Sequence, residues 1–178
     1  ARKLQDILRS LPDKTTVSLD AQENRLQLKA GKSRFNLQTL PAQDYPRLAD
    51  AGGAGVGVSL TQKRLRDLFQ LVQYSMAQQD IRYYLNGLLL LAEGRRLTLV
   101  ATDGHRLAYA TTELSVPVER TEVIIPRKAV LELTKLLAET EDIVDIQLLA
   151  SQVRFGFSGI ELVSKVVDGK FPDFNRVI

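Results

Sequence analysis

"ARKLQDILRSLPD" at residues 1–13 and "PRKAVLELTKLLAE" at residues 126–139 share one pattern, a basic pair followed by apolar residues three and four apart. That spacing predicts a helix in each place, with Leu4, Ile7, Leu8 and Leu11 on one inner face and Val130, Leu133, Leu136 and Leu137 on the other. Pro126 suits a first helical turn. After each helix come three stretches that alternate or are rich in branched side chains, over 16–20, 25–30 and 33–40 and again over 143–149, 153–157 and 161–167. Each round closes on an aromatic-proline segment, "AQDYPRL" at 42–48 and "DGKFPDFNRV" at 168–177. An offset of about 125 residues is far longer than a solenoid repeat and suits a duplicated domain. Mixed helices and adjacent strands imply an α+β fold with antiparallel sheets.

Between the two rounds, Leu65, Leu68, Phe69, Val72 and Met76 predict a third helix over 60–77, capped by Ser59 or Thr61. Further strands are expected over 56–60, 84–92, 95–101, 106–112 and 122–125, with turns at Glu23-Asn24, Gly31-Lys32, Glu93-Gly94, Asp103-Gly104 and Ser158-Gly159. "DAGGAG" at 50–55 has little to pack and reads as a linker. The expected division is therefore the end of one domain over 1–54 and a complete second domain over 55–178.

The 178 residues are 44% hydrophobic, enough for a sizeable core. There is no cysteine, which removes disulfides, thiolate nucleophiles and zinc-thiolate sites and suits a reducing cytosol. No apolar run is long enough to span a bilayer as a helix and no basic-then-apolar leader opens the chain, so a cytoplasmic protein is expected. Ala1 stands first and Met76 is the sole methionine, as expected of a segment of a longer protein. The net charge of +3 and pI near 9.2 permit a polyanionic partner without demanding one.

"VATDGHRLAYA" at 100–110 holds the only histidine, His105, two residues from Asp103. A hydrolase built there would need a nucleophile nearby, and the sequence has no nucleophile elbow, HExxH spacing, P-loop or dinucleotide fingerprint. One histidine rules out a histidine-rich metal site, although carboxylates could still hold magnesium. Asp-Gly is an ordinary hairpin turn, and that reading is preferred. No cofactor, metal or catalytic residue is expected.

Cations mark the outward faces of all three helices: Arg2, Lys3 and Arg9; Lys63, Arg64 and Arg66; Arg127, Lys128 and Lys135. A solvated face and a nucleic-acid surface explain them equally well. Gln79, Arg82, Tyr83 and Tyr84 add polar and aromatic groups that could touch phosphate, sugar or base, or could be buried.

Four blocks make the sequence more specific. "YSMAQQDIRYYLNG" at 74–87, "VATDGHRLA" at 100–108, "IIPRKAVLEL" at 124–133 and "SKVVDGKFPDFNRVI" at 164–178 resemble, in order and spacing, the second domain of the bacterial DNA sliding clamps, the beta subunits of DNA polymerase III. "KSRFNLQTLPAQDYPRL" at 32–48 is similar to the end of that family's first domain. The resemblance implies a non-enzymatic processivity factor with a DNA-clamp fold, in which repeated domains turn helices to a central channel and sheets outward. A complete subunit would have a third domain, absent here, and would close head to tail as a homodimer around double-stranded DNA. By the same resemblance, Arg9, Gln79, Arg82, Tyr83 and Tyr84 lie near DNA. Leu85, Thr102, Gly104, His105, Arg106, Leu107, Pro172, Arg176 and Val177 would form a pocket for short linear motifs of the polymerase III catalytic subunit, the clamp loader, other polymerases and repair proteins. Leu85, Leu107, Pro172 and Val177 are apolar enough to hold a leucine or phenylalanine anchor, with His105 and the two arginines as donors at the rim. Two other classes make different demands. A carboxylate-dependent nucleic-acid enzyme needs acids gathered around Asp103, and a sequence-specific regulator needs an element that reads bases.

Overall fold

The structure, a computed structural model, describes residues 2–45 and 55–178. It divides into two compact units, Ala1–Ala49 and Asp50–Ile178. The linker expected at 50–55 lies, apart from Gly55, outside the described residues.

In the first unit, helix α1 (Arg2–Ser10) precedes an antiparallel meander of β1 (Val17–Gln22), β2 (Arg25–Ala30) and β3 (Ser33–Gln38). Two-residue reversals join the strands, with Gln22 opposite Arg25 and Ala30 opposite Ser33. Glu23 and Gly31 take positive φ there, of 25° and 57°, as such tight hairpins require. Leu28 and Ala30 are buried on one face of β2, whereas no residue of α1 is buried and Leu8 is exposed.

The second unit opens with β4 (Val56–Thr61) running into α2 (Gln62–Val72). The helix expected over 60–77 thus starts two residues later, because Leu60 is a strand residue paired with Val144. Thr61 caps it by accepting the Arg64 N–H at 3.2 Å. Ser59, the other expected cap, donates instead to Asp145 at 2.8 Å. Two short 3-10 turns, Gln73–Ser75 and Tyr83–Leu85, lead to β5 (Gly87–Thr102), which pairs antiparallel with β6 (Leu107–Pro126). Helix α3 (Arg127–Leu136) follows, then β7 (Ile143–Leu148), β8 (Gln152–Phe157) and β9 (Ile160–Lys165). The second sheet has the order β4-β7-β8-β9. One helix followed by three consecutive antiparallel strands therefore occurs twice, as α1-β1-β2-β3 and α3-β7-β8-β9.

Two local expectations are corrected. Glu93-Gly94 does not reverse the chain. The pairing passes from Gly94 opposite Val118 to Arg96 opposite Glu113, so Leu114, Ser115, Val116 and Pro117 lie across from Arg95 alone. Gly94, at φ 56°, sits at a large irregularity in one long ribbon, and Pro117 falls among the unpaired residues, where no ladder donor is needed. Leu136 does not face inward but is 45% exposed. The helix ends at Leu136, and Leu137 turns to an extended conformation (φ −70°, ψ 129°) that buries it instead.

Alternation along the ribbon explains the apolar run of 88–92. Leu88, Leu90 and Ala92 enter the main core with Leu65, Leu68 and Phe69 of α2, Val130 and Leu133 of α3, and Phe155 of β8. Leu89 and Leu91 point the other way, into a second cluster with Val100, Ile124 and Phe171. Both faces of the ribbon are covered, so the strand reads as continuously apolar. Buried Gln62 fastens the ends of the unit, donating to the Ser158 hydroxyl at 3.0 Å and accepting the Ala138 N–H at 3.1 Å.

Candidate functional site

The second cluster is where the chain brings its chemistry-bearing segments together. After β9 the tail turns back over the ribbon, with the Val167 N–H donating to the Ile124 carbonyl at 2.8 Å. Phe171 is buried there, and Val167, Phe174, Tyr84 and Leu107 pack against the cluster from its edges. The Phe174 ring lies 6.0 Å from that of Tyr109.

At one end of this face, residues 103–106 form the β5–β6 turn, between paired Thr102 and Leu107. Asp103 organises it. One carboxylate oxygen accepts the backbone N–H groups of His105 and Arg106, each at 3.0 Å, and the other accepts Arg106 Nε at 2.9 Å. These backbone donors, His105 first, hold the Asp103 carboxyl below its ordinary range. The Thr102 hydroxyl accepts the Gly104 N–H at 3.1 Å and donates to the Arg106 carbonyl at 2.7 Å. Asp103 thus meets the backbone of His105, with no hydrogen bond to its imidazole among those of the described residues, so the pair has a turn's geometry rather than a catalytic dyad's. No group of three or more acidic or histidine side chains placed to hold a metal occurs among the described residues.

The preceding loop locks against the turn. Asp80 accepts both the N–H of Arg82, at 2.8 Å, and a fork of two guanidinium bonds at 3.0 and 2.9 Å. That arginine, chiefly through its side-chain hydrogen bond, pulls the Asp80 pKa down to about 2. Asn86 braces the loop by accepting the Asp80 N–H and donating to its carbonyl. The Arg82 guanidinium also lies over Gly104, where a Cβ would come within 2.9 Å of it, and reaches the Asp103 carbonyl at 3.4 Å. The φ of 89° at Gly104 favours glycine, whereas a Cβ there would only push aside the end of the Arg82 side chain. Replacing Arg82 with Ala is expected to return the Asp80 pKa from about 2 towards 3.8 in a carboxyl-carbon NMR titration. Because the folded value is the lower one, the bond's contribution is complete above the unfolded pKa and lost as pH falls through about 2. An unmoved pKa in Arg82→Ala would show that the fork does not hold in solution.

The residues named from the sequence take up different stations. Gly104, His105 and Arg106 are exposed at the turn, and the Arg106 guanidinium lies 5.8 Å from the centre of the Tyr74 ring. Leu107 is half-buried on the cluster. Pro172, Arg176 and Val177 are exposed on the tail, where Arg176 pairs with Asp173 at 3.0 Å. Thr102 and Leu85 are buried, Leu85 to 1% exposure, so Leu85 supports the loop from beneath instead of offering an open wall. Tyr83 is 57% exposed while its neighbour Tyr84 is half-buried, their rings edge to face at 5.9 Å. Gln79 is exposed with φ 59°, and Arg9 is exposed on α1 of the first unit. Tyr109, Phe171 and Phe174 were not anticipated as part of this face; the aromatic spacing in "KFPDFNR" was the available signal.

The helix cations are less uniformly free than their spacing suggests. Lys63 and Lys128 are exposed. Arg66 is half-buried and paired with Glu139 at 3.0 Å, Lys135 pairs with Glu132 at 3.0 Å, and half-buried Arg127 donates to the Met76 carbonyl at 3.4 Å.

Comparison with solved structures identifies the class: this is a DNA-clamp fold. A crystal structure of the DNA polymerase III subunit beta from Pseudomonas aeruginosa matches with a TM-score of 0.89 at 46% identity, over 99% of this chain and 49% of that one. The DNA polymerase sliding clamp of Bacillus subtilis matches with a TM-score of 0.86 at 30% identity, over 99% and 47%. The family model for the central domain of the DNA polymerase III beta subunit matches residues 59–173, and that for its N-terminal domain matches residues 1–49. The chain belongs to the DNA polymerase III beta subunit family. The beta sliding clamp of Vibrio cholerae is 47% identical over all of this chain and 48% of its own length. The chain thus spans about half the length of the curated relatives it matches.

Proposed function

We propose that this chain is part of a sliding clamp, a non-enzymatic ring that encircles duplex DNA and tethers replication and repair proteins to it. The observation that carries the reading is the family match over 59–173, with a clamp-type structural match along nearly the whole chain. In this reading the whole protein closes as a homodimer through a third domain, works in the cytoplasm and needs no cofactor. Domain one ends within 1–54 and domain two occupies 55–178. The partners are double-stranded DNA of any sequence, the polymerase III catalytic subunit, the clamp loader, and other polymerases and repair proteins that carry the anchor motif. No helix among the described residues is long and apolar enough to cross a membrane.

Energetics favour sliding over tight binding. An exposed charge pair at about 4 Å in water is worth about 1 kcal/mol, and at physiological salt the field fades over about 8 Å. Such contacts orient a duplex without fixing it, and retention is left to topology. Arg9, Gln79, Arg82, Tyr83 and Tyr84 are the proposed DNA contacts. The proposed motif pocket uses Leu107 and Pro172 with Val177 as apolar walls, Gly104, His105, Arg106 and Arg176 at the rim, and Leu85 and Thr102 behind.

The two tyrosines divide this proposal. Tyr84 packs on the cluster that also seats Leu107, so changing it disturbs both sites, whereas exposed Tyr83 is the clean probe. Tyr83→Ala in the whole protein is expected to lower loading onto nicked circular duplex by the clamp loader severalfold while leaving the affinity for a Gln-Leu-x-Leu-Phe-type peptide unchanged. Normal loading with weakened peptide binding would reverse the two assignments.

A further inference from the structure

Beyond the Tyr109–Phe174 ring pair, the face of the ribbon continues into an open groove of about 730 Å³ whose floor is polar. Four arginines and two glutamates line it. Arg120 is neutralised by Glu93 at 3.1 Å and by Glu122 at 3.2 Å, and Arg95 by Glu113 at 3.5 Å. The other two arginines are different. Arg64 is held by neutral oxygens, the Thr112 hydroxyl at 3.0 Å and the Thr111 carbonyl at 3.3 Å, which fix its guanidinium without cancelling its charge. Arg96 is exposed and has no carboxylate within ion-pair distance among the described residues. Phe174 and Asn175 of the tail form one wall, immediately before Arg176 and Val177 in the chain.

We infer that this groove receives the acidic flank of a partner's anchor peptide, with Arg64 and Arg96 pairing its carboxylates. The inference rests on the motif pocket proposed above, since a peptide seated against Leu107 and Val177 would leave across Phe174 into the groove. Two guanidinium charges beside an apolar seat, Arg64 held by neutral oxygens and Arg96 across the ladder from Glu113 but out of ion-pair contact with it, complement a segment with a hydrophobic anchor on one side and Asp or Glu on the other. A nucleic-acid strand suits the groove less well, because it carries a phosphate at every step, whereas Arg95 and Arg120 are already paired with Glu113 and Glu93 and only Arg64 and Arg96 are left to meet an anion.

Fluorescence anisotropy on the whole protein tests this with two kinds of Gln-Leu-x-Leu-Phe-type peptide, one extended by four Asp/Glu residues at either end and one extended by Asn/Gln. At low salt the acidic extension at one end is expected to tighten binding about two- to thirtyfold, the range for two exposed ion pairs, and the gain should fade as salt rises. Arg64→Gln with Arg96→Gln should abolish that gain and leave the neutral-tailed peptide unaffected. Arg96→Gln alone, at an exposed position with no carboxylate partner, should remove part of it without touching the fold. Equal affinity of acidic and neutral tails, or a gain that survives both substitutions, overturns the inference while the pocket stands. Binding of oligothymidylate that the double substitution weakens more than the acidic gain overturns it in favour of a nucleic-acid groove. Failure of the neutral-tailed peptide to bind the unaltered protein contradicts the pocket itself, and the groove's assignment falls with it.

Discussion

Leu107→Asp is expected to weaken binding of a Gln-Leu-x-Leu-Phe-type peptide to the whole protein at least about a hundredfold, close to 2.7 kcal/mol. Leu107 opens β6 opposite Thr102, and its side chain packs half-buried on the cluster of Leu89, Leu91, Val100, Ile124 and Phe171. A carboxylate at that position puts a charge where the peptide's apolar anchor would have to displace water from it, with no donor to compensate inside the cluster. The free protein escapes that cost. Half-exposed, the aspartate can turn to solvent, so circular dichroism should change little and the melting midpoint should fall only by what the lost leucine packing costs, as in Leu107→Ala. Leu107→Ala separates the causes: it removes packing without adding charge and should cost roughly tenfold. Unchanged peptide affinity in Leu107→Asp would remove the pocket from this face.

Phe69→Ala should be the most destabilising of the changes considered, at about 3–5 kcal/mol. Phe69 has no exposed surface, and α2 presses it with Leu65, Leu68 and Val72 into the core that also takes Leu88, Leu90 and Phe155. The surrounding strands are tied in ladders on both sides and cannot collapse into the space a lost ring leaves. Leu71→Ala, on the same helix but 58% exposed, should stay within about 0.5 kcal/mol. Urea denaturation of the two variants makes the comparison. Similar losses for both would mean that α2 does not turn its 65-68-69-72 face inward.

The helices, the three-strand rounds and most turns were legible in the sequence because their signals are local. Leu65, Leu68, Phe69 and Val72 mark a helical face, and Gly31 and Ser158-Gly159 mark reversals, whatever the rest of the chain does. Gly94 was misread because a glycine at positive φ serves a reversal and a bulge equally well. Only the partner strand decides, by lodging Leu114 to Pro117 opposite Arg95. Leu136 and Leu137 exchanged roles for a similar reason: helical period assigns both inward until the helix stops between them.

The candidate site was legible as a set of residues, through resemblance, but not as a division of labour. That Arg82 covers Gly104, that Tyr84 is seated with Leu107, and that Arg64 is tied to β6 are contacts between segments twenty or more residues apart, to which no periodicity points. The Asp103–His105 pair shows the converse. Spacing alone allowed a catalytic reading, and the backbone hydrogen bonds to Asp103 replace it with a turn.

The most direct test of the clamp reading is retention on a closed circle. The whole protein, loaded by its clamp loader onto nicked circular duplex, should survive a high-salt wash there and be released within minutes once a restriction enzyme linearises the DNA. Loss from circle and linear DNA alike, governed by salt instead of by the free end, would show ordinary electrostatic binding and contradict the ring.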